Sequence, residues 1–229
     1  MGVKGDRILP SEVHNEGSHW RIMVPMWIYK GHVNLKPRAL SDRDFDYLAS
    51  QYDLEPAMVK ALCEVESCGN GFTDDGWPMV LFEAHWFSKL TERRWDTSCP
   101  NISTTKWNRQ LYSRGKTADI RCKGEWARMR EAMVLDRDAA LQSASWGIAQ
   151  VLGVNWQMCG FNAINDFLEA AHQSERSQLE IALRFIRGRG LVQRLQQKDW
   201  AGFSERYNGS GYRANRYDEK LKAAYEQNR

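Results

Sequence analysis

The segment Cys63–Gly69, with the sequence CEVESCG, constrains this chain more than any other stretch. It ends an apolar run with helical spacing that begins at Pro56, a residue favoured in the first turn of a helix. A carboxyl at the C-terminal end of a helix feels the negative pole of the helix dipole and the apolar wall beside it. Both effects raise its pKa. The segment therefore predicts an acid that stays protonated near neutral pH, as a general acid must.

Glu64 and Glu66 compete for this role. They are two residues apart, so on a helix their side chains point about 200° from each other. We expect Glu66 to be the acid because the chain turns directly after it. Glu64 is then a surface carboxylate or one that supports the site. The alternative for either residue is a solvated glutamate at a helix end.

The remaining pattern is mainly helical. Ser41 is typical of an N-cap for a helix that begins at Asp42, and helices are also predicted over residues 83–90 and 124–144. Asp75-Gly76 between apolar flanks predicts a β-hairpin over residues 72–82. Residues 92–122 are polar and predict an irregular excursion that forms part of a cleft wall. The expected fold is mainly α, an α+β arrangement with a small β-hairpin beside the acidic helix.

Two regions are expected along the chain. Residues 1–38 show no helical period and carry one strand-like piece over residues 20–29, which predicts an N-terminal arm rather than a domain. Residues 39–229 are long enough for one well-packed domain. We expect this second region to be catalytic.

The formal net charge of +3 is too mild for a nucleic-acid module, and no nucleic-acid-binding motif is present. The C-terminal third is more basic than the rest. Such a surface favours contact with an anionic polymer or an anionic cell envelope, the alternative being a solvated helical face. The basic residues are Arg184, Arg187, Arg189, Arg194, Arg206, Arg213, Arg216, Lys220 and Lys222.

Five cysteines, without a CxxC pair, and five histidines without ligand spacing predict neither a zinc site nor any other cofactor. Free, mostly buried thiols are expected, with a Cys99–Cys122 bridge left open. No leader peptide or membrane-spanning run is expected from the sequence. An extracytoplasmic target would then require delivery by another agent.

Three motifs occur in order along the chain: Glu66-Ser67, Ser145-Trp146-Gly147-Ile148-Ala149-Gln150 and Tyr207-Asn208-Gly209. Each alone is weak evidence, since a Tyr-Asn-Gly sequence is usually a turn. Together, and with a hairpin after the first, they resemble the pattern of goose-type lysozymes and lytic transglycosylases.

The resemblance is closer to the N-acetylmuramidase catalytic domain of bacteriophage endolysins, and it covers about residues 40–229. The residues that carry it are Glu64-Val65-Glu66-Ser67, Asp75-Gly76-x-Pro78-x-Val80-Leu81-Phe82-Glu83-x-His85, Ala132-Met133-x-Leu135-Asp136, Ala140-Leu141-x-Ser143-Ala144-Ser145-Trp146-Gly147, Ala182-Leu183-x-Phe185-Ile186 and Tyr207-Asn208-Gly209-x-Gly211-Tyr212.

The resemblance implies that the glutamate before serine is the acid, that the Gly-x-x-Gln segment lines the floor of the cleft, and that the Tyr-Asn pair faces the acid. Tyr207 is then expected to donate a hydrogen bond to Glu66 or to the sugar. Asn208 is expected to hold its turn, and Gln150 to bind an N-acetyl group or support a helix end. Ser67 is a further expected substrate contact.

Aromatic residues offer stacking surfaces for sugar rings. Trp77, Trp86 and Trp146 are the candidates, and core packing is the alternative for each. His85 is interpreted as a packed, hydrogen-bonded structural residue that could instead assist the cleft.

Hydrolysis of a glycosidic bond needs a second carboxylate, as base or as nucleophile. Asp74, Asp75 and Glu83 are the candidates, because all three lie on or beside the predicted hairpin. Asp75 has an alternative role in the Asp-Gly turn, and Glu83 has one at the start of a helix. The sequence does not choose among them.

The expected function is hydrolysis of the MurNAc–GlcNAc β-1,4 bond of peptidoglycan by a monomeric lysis enzyme that reaches the cell wall from the host cytoplasm through holin pores. The nearest alternative is a lytic transglycosylase, which leaves 1,6-anhydro ends and needs no second carboxylate. A non-catalytic wall-binding or structural phage protein is a third hypothesis, which intact Glu66, Gln150 and Tyr207 argue against.

Overall fold

A computed structural model describes residues 39–66 and 69–229. The predicted arm over residues 1–38, with its strand-like piece, lies outside the described residues, as do Ser67 and Cys68. In the part of the chain that is described, no helix is long and apolar enough to cross a membrane.

The described residues are mainly helical, with one small sheet, which confirms the predicted fold class. The α-helices are α1 (Asp42–Tyr52), α2 (Pro56–Glu66), α3 (Ala84–Leu90), α4 (Ala118–Leu135), α5 (Arg137–Gln142), α6 (Ile164–Gln173), α7 (Glu175–Gly188), α8 (Val192–Gln196), α9 (Trp200–Asn208) and α10 (Tyr217–Gln227). Short 3-10 helices cover Arg109–Leu111, Gly153–Asn155 and Ser210–Asn215.

The single helix predicted over residues 124–144 is wrong in two respects. It begins earlier, at Ala118, where the Thr117 side chain accepts a hydrogen bond from the Ile120 N–H. It is also divided at Asp136, whose side chain caps α5 by accepting from the Ala139 N–H at 3.0 Å. The first turn of α4 therefore lies within the stretch predicted to be irregular, because a polar helix with a threonine cap lacks a clear apolar stripe.

The sheet consists of three antiparallel strands in the order β1 (Val80–Phe82), β2 (Ala144–Trp146) and β3 (Val151–Leu152). The Asp-Gly turn predicted beside the acidic helix does form, but its hairpin is limited to one bridge between Phe72 and Pro78. The chain beyond Pro78 then turns away and pairs with β2, Val80 opposite Trp146. The prediction of a long hairpin over residues 72–82 is therefore wrong, because its second half pairs with β2, which is distant in sequence.

Helix α4 covers the outer edge of β1 with side chains. The Val80 N–H faces the Cys122 sulfur at 3.3 Å, and the Pro78 carbonyl accepts from the Trp126 indole at 3.0 Å. Glu125 accepts from the Phe82 N–H at 3.1 Å and pairs with Arg128 at 2.7 Å. These bonds satisfy backbone groups that an exposed edge strand would leave open.

The core has two clusters of buried side chains. The first surrounds the sheet and includes Phe82, Trp126 and Phe167. The second lies among α1, α2, α9 and α10 and includes Leu48 and Phe203. Helix α7 contributes residues to both clusters and so joins the two parts of the molecule.

The disulfide left open between Cys99 and Cys122 is not formed: both residues are free thiols. Cys122 is directed at the edge of β1 instead, where its sulfur lies 3.3 Å from the Val80 nitrogen. Burial raises the pKa of Cys63 and of Cys122 to about 11. These two thiols are therefore protonated at neutral pH, as expected of buried structural cysteines.

Replacing Glu125 by Leu should lower the free energy of unfolding by about 3–5 kcal/mol, because the Arg128 charge and the Phe82 N–H would lose their partner. Chemical denaturation measures this loss. A Glu131→Gln change on the exposed face of the same helix is the control and should cost about 0.5 kcal/mol or less. An equally small effect at Glu125 would contradict the edge-capping role.

Candidate active site

Glu66 is the last residue of α2 and is only partly exposed. Its two carboxylate oxygens lie 3.4 and 3.5 Å from the side-chain nitrogen of Asn208, the last residue of α9. Helix α9 is fixed at its start by Asp199, which accepts from the Gly202 N–H at 3.0 Å, and in its middle by Phe203, which is fully buried. Two helix ends, distant in sequence, therefore meet at one carboxyl group.

Burial raises the pKa of Glu66 above that of an ordinary glutamate, and the hydrogen bond from Asn208 opposes this by a smaller amount. The charged form loses water on burial, so the neutral acid is favoured. The direction of this shift is the one that the sequence predicts for Glu66.

Glu64 lies on the exposed face of α2, as predicted. Its carboxylate accepts a hydrogen bond from the side-chain amide of Asn228 at 2.9 Å. The two glutamates therefore have the same kind of partner, an asparagine amide, but differ in burial. This difference makes Glu64 and Asn228 a natural control for Glu66 and Asn208.

In the Tyr-Asn pair, it is the Asn208 side chain, and not that of Tyr207, that bonds to Glu66. The Tyr207 ring stacks on Phe203 with centroids 5.2 Å apart and meets Phe185 edge-on at 5.9 Å. Burial and, second, the nearby charge of Glu66 raise the pKa of Tyr207 above its ordinary value. Tyr207 therefore remains a neutral phenol that packs against two other aromatic rings.

Glu83 is the N-cap of α3 and belongs to a chain of polar side chains. Its carboxylate accepts from the Tyr112 hydroxyl at 2.7 Å, and that hydroxyl accepts from the Trp107 indole at 2.6 Å. The His85 ring nitrogen lies 3.4 Å from the same carboxylate oxygen, in keeping with the structural interpretation of His85. Burial raises the pKa of Glu83, while the hydrogen bond from Tyr112 acts in the opposite direction.

Asp74 and Asp75 lie in the Asp-Gly turn and are exposed. The Asp75 carboxylate pairs with Lys123 at 2.6 Å, and Lys123 also pairs with Asp119 at 3.0 Å. The Asp74 backbone N–H donates to Asp119 at 3.1 Å. The turn is thus attached to the start of α4 through charged side chains in solvent.

The remaining predicted contacts have different surroundings. Gln150 holds the β2–β3 turn, donating to the carbonyls of Gly147 at 2.8 Å and Met79 at 3.4 Å. Trp77 is partly exposed and meets Trp126 edge-on at 5.1 Å. Trp146 is only 2% exposed, so its ring has no face open to a sugar and the core-packing alternative describes its position.

Two other predicted contacts complete the set. Trp86 is partly exposed, and the Lys89 ammonium lies over its ring at 4.5 Å. Ser67 lies outside the described residues. Among the residues that are described, no group of three or more His, Cys, Asp or Glu side chains is arranged to hold a metal ion.

The sequence pattern missed two residues of α7 that contact the loops of the site. Glu175 accepts from the Gly71 N–H at 2.8 Å, and Gln178 bonds to both Gly71 and Ile148. A signal for Gln178 was present: it lies three and four residues before Ile181 and Ala182, on the apolar face of an amphipathic helix. A polar residue at a core position needs buried hydrogen-bond partners.

This geometry defines a class of protein. A half-buried acid at the end of a helix, with a raised pKa and a small antiparallel sheet following it along the chain, is the arrangement of a lysozyme-like glycoside hydrolase.

Comparisons with known proteins identify the family. The sequence model for "Muramidase: N-acetylmuramidase" matches residues 55–229, and the chain belongs to this family. The fold is similar to the crystal structure of the Burkholderia AP3 phage endolysin, with a TM-score of 0.74 and 33% sequence identity over 84% of this chain and 71% of that one. A search of curated proteins finds no match. The protein is therefore a muramidase, a glycoside hydrolase that degrades peptidoglycan.

Replacing Asn208 by Leu should raise the pKa of Glu66, because it removes a hydrogen bond to the carboxylate while keeping an apolar group of similar size in place. A general acid works only while protonated, so the alkaline limb of the kcat pH profile should move to higher pH.

Asn228→Leu is the matched control, since it removes the corresponding amide from Glu64. The pH profile of this control should keep the wild-type limb. A limb that moves to lower pH in Asn208→Leu, or that moves equally in both variants, would contradict the role given to Asn208.

Proposed function

We propose that Glu66 is the general acid that protonates the leaving oxygen of the MurNAc–GlcNAc β-1,4 bond, within a catalytic domain spanning residues 39–229. The observation that carries this proposal is its burial at the end of α2, which raises its pKa. The shift is in the direction that a general acid needs, because it increases the neutral fraction. Glu64 is exposed on the same helix.

Asn208 is proposed to hold Glu66 and to contact the substrate. The Nδ2–Glu66 distances of 3.4 and 3.5 Å are long for hydrogen bonds, and such contacts often tighten when substrate is bound. Among the described residues, no donor reaches the buried Oδ1 atom of Asn208. A buried acceptor without a partner is costly, so an N–H or O–H group of the glycan would be bound favourably there.

The second carboxylate is proposed to be Glu83 or Asp75, at the start of α3 and in the Asp-Gly turn. In a retaining reaction it would act as nucleophile, with the two carboxyl groups about 5–5.5 Å apart. In an inverting reaction it would act as base on a water molecule, with a wider separation of about 6.5–9.5 Å.

The two candidates differ in their surroundings. Glu83 is partly buried and held by Tyr112, so its geometry is fixed, while its raised pKa lowers the fraction that is ionised and able to accept a proton. Asp75 is exposed and paired with Lys123, so it is free to follow a substrate. Tyr207 is proposed to form the wall beside Glu66, and Trp77 and Ser67 to contact the glycan.

Mass spectrometry of fragments released from purified peptidoglycan tests the reaction. We expect reducing N-acetylmuramic acid ends, and we expect Glu66→Gln to slow their release about 10²–10⁴-fold because the acid is lost. Glu64→Gln should release them near the wild-type rate. Fragments with 1,6-anhydro ends, one water lighter, would instead establish the transglycosylase alternative, which nothing in the comparisons favours.

The same assay distinguishes the candidates for the base. Glu83→Gln and Asp75→Asn are compared with Asp74→Asn, and the one that acts as base should lose activity as Glu66→Gln does. If none of the three loses activity, the proposal of a second carboxylate on this side of the fold is wrong. Full activity of Glu66→Gln would overturn the assignment of the acid itself.

We further propose that the enzyme is a monomeric phage endolysin that reaches the cell wall from the host cytoplasm through holin pores, by likeness to the AP3 phage endolysin. Residues 175–229 contain twelve Lys and Arg against seven Asp and Glu, which would favour contact with an anionic envelope. Several of these cations are paired internally, Arg184 with Glu180 and Arg194 with Asp199 among them. Arg206, Arg213 and Lys222 have no carboxylate partner within the described residues and are the proposed contacts.

Envelope contact predicts salt-sensitive binding to vesicles of anionic phospholipid. Charge reversal at Arg206 and Lys222 should weaken this binding and reduce its dependence on salt, because exposed charges act through a screened potential. Activity on purified peptidoglycan is measured in parallel. Binding that is equal for neutral and anionic vesicles would contradict the proposal.

A further inference from the structure

A closed ring of hydrogen bonds joins the three loops of the site. The Met79 N–H donates to the Gly71 carbonyl at 2.9 Å, and the Gly147 N–H donates to the Met79 carbonyl at 2.8 Å. The next residue, Ile148, donates its N–H to the Gln178 side-chain oxygen at 2.8 Å. Gln178 completes the ring by donating to the Gly71 carbonyl at 3.1 Å. Gly71 follows Glu66 by five residues along the chain.

Gln178 is the only side chain in this ring, and its surroundings fix it. It is 2% exposed, and its amide makes a third bond, to the Ala171 carbonyl at the end of α6, at 2.8 Å. An amide held by three bonds in a buried site has one orientation available.

The two glycines of the ring fit closely around this amide. A Cβ atom at Gly71 would lie 2.1 Å from the Gln178 side-chain oxygen, and one at Gly147 would lie 2.6 Å from its amide carbon. Gly147 also has φ of +70°, which favours glycine. Both loops therefore approach Gln178 as closely as backbone can, and any other residue at either position would push them apart.

Because of where Gln178 lies in the fold, the ring connects the two parts of the molecule. Glu66 ends α2, which packs in the second core cluster, whereas the sheet belongs to the first. Helix α7 supplies residues to both clusters, and Gln178 lies near its start. The ring is thus a direct polar connection between the part of the molecule that carries Glu66 and the part that carries the Gly147–Gln150 segment, which the family resemblance implies is the floor of the cleft.

We infer that Gln178 is a positioning residue for the muramidase reaction: it fixes the loop after Glu66 against the β2–β3 turn, and so sets the acid relative to the cleft floor. This inference rests on the proposed role of Glu66. Gln178 is buried and does not reach substrate, so it acts through the two loops. Catalysis is sensitive to such placement, since a displacement of about 1 Å can cost about 10²-fold in rate.

The test uses the full-length enzyme and two substitutions on α7. Gln178→Met keeps the size of the side chain and removes all three hydrogen bonds. Ser177→Ala is the matched control: Ser177 is also buried, but it bonds within the N-terminal turn, to Ser174 and Gln173, and not to the loops. Both variants are compared for thermal stability, kcat, KM and the pH profile on purified peptidoglycan.

We expect Gln178→Met to lower kcat by about tenfold or more with KM changed by less than about threefold, since the acid and the floor lose their alignment. A Glu66 carboxyl that shifts toward solvent with the released loop loses part of its desolvation, so the alkaline limb should also move to lower pH. Ser177→Ala should lose stability without either change. Equal kcat and equal pH profiles in the two variants would overturn the inference.

If Gln178→Met does not fold, a second variant, Gln178→Glu, tests the positioning role. In Gln178→Glu the introduced carboxyl is buried, which raises its pKa. Below that pKa it is neutral and can still donate one hydrogen bond and accept another. Above it, the anion faces the carbonyls of Gly71 and Ala171. The ratio of variant to wild-type kcat should therefore fall as pH rises, whereas a ratio independent of pH would overturn the inference.

The two proposals fail separately in this assay. Full activity of Glu66→Gln would overturn the assignment of the acid whatever the Gln178 variants do. If Glu66→Gln is inactive while the Gln178 variants keep the wild-type kcat and pH profile, only the positioning role is lost.

Discussion

The withdrawal of the Glu66 carboxyl from water is the constraint on which the rest of the structure depends. A glutamate at the exposed end of a helix would be ionised at neutral pH and could not donate a proton. Burial raises the pKa of Glu66 and so increases its neutral fraction, while the hydrogen bond from Asn208 opposes this by a smaller amount. On the side of α9, the stacked rings of Phe203 and Tyr207 pack next to Asn208 in the chain.

A buried acid is useful only if the surface that binds the glycan is fixed relative to it. The fold achieves this with two core clusters that share helix α7, rather than with one continuous core. Within the second cluster, α10 packs on α2 and supports the helix that ends in Glu66. Within the first, α4 caps the edge of β1 with side chains, so the small sheet is rigid despite strands of two or three residues. A few polar contacts where the two parts meet then set their relative position.

Local features of this molecule could be predicted from the sequence, and non-local ones could not. The helix that ends at Glu66, the cap at Ser41 and the Asp-Gly turn follow from short-range patterns, and all three form. The partner of β1 lies more than sixty residues away, and no local pattern indicates it. The break at Asp136 was missed because the residues on either side of it are both helical.

The same distinction holds at the site. Glu66 and Asn208 belong to short motifs, and the resemblance of these motifs to the pattern of a known family implies that they meet. The role of Gln178 depends on two backbone segments brought to it by tertiary packing, so it carries no motif of its own. The sequence alone does not say whether Trp146 packs in the core or lines the cleft, whereas the structure shows that it is buried.

The most direct test is a pH titration of the Glu66 side-chain carboxyl by carbon-13 NMR, in the folded enzyme and in the denatured chain. We expect Glu66 to titrate at higher pH in the folded enzyme than in the denatured chain, because burial raises its pKa. A Glu66 carboxyl that titrates at the same or lower pH in the folded enzyme would contradict the central claim.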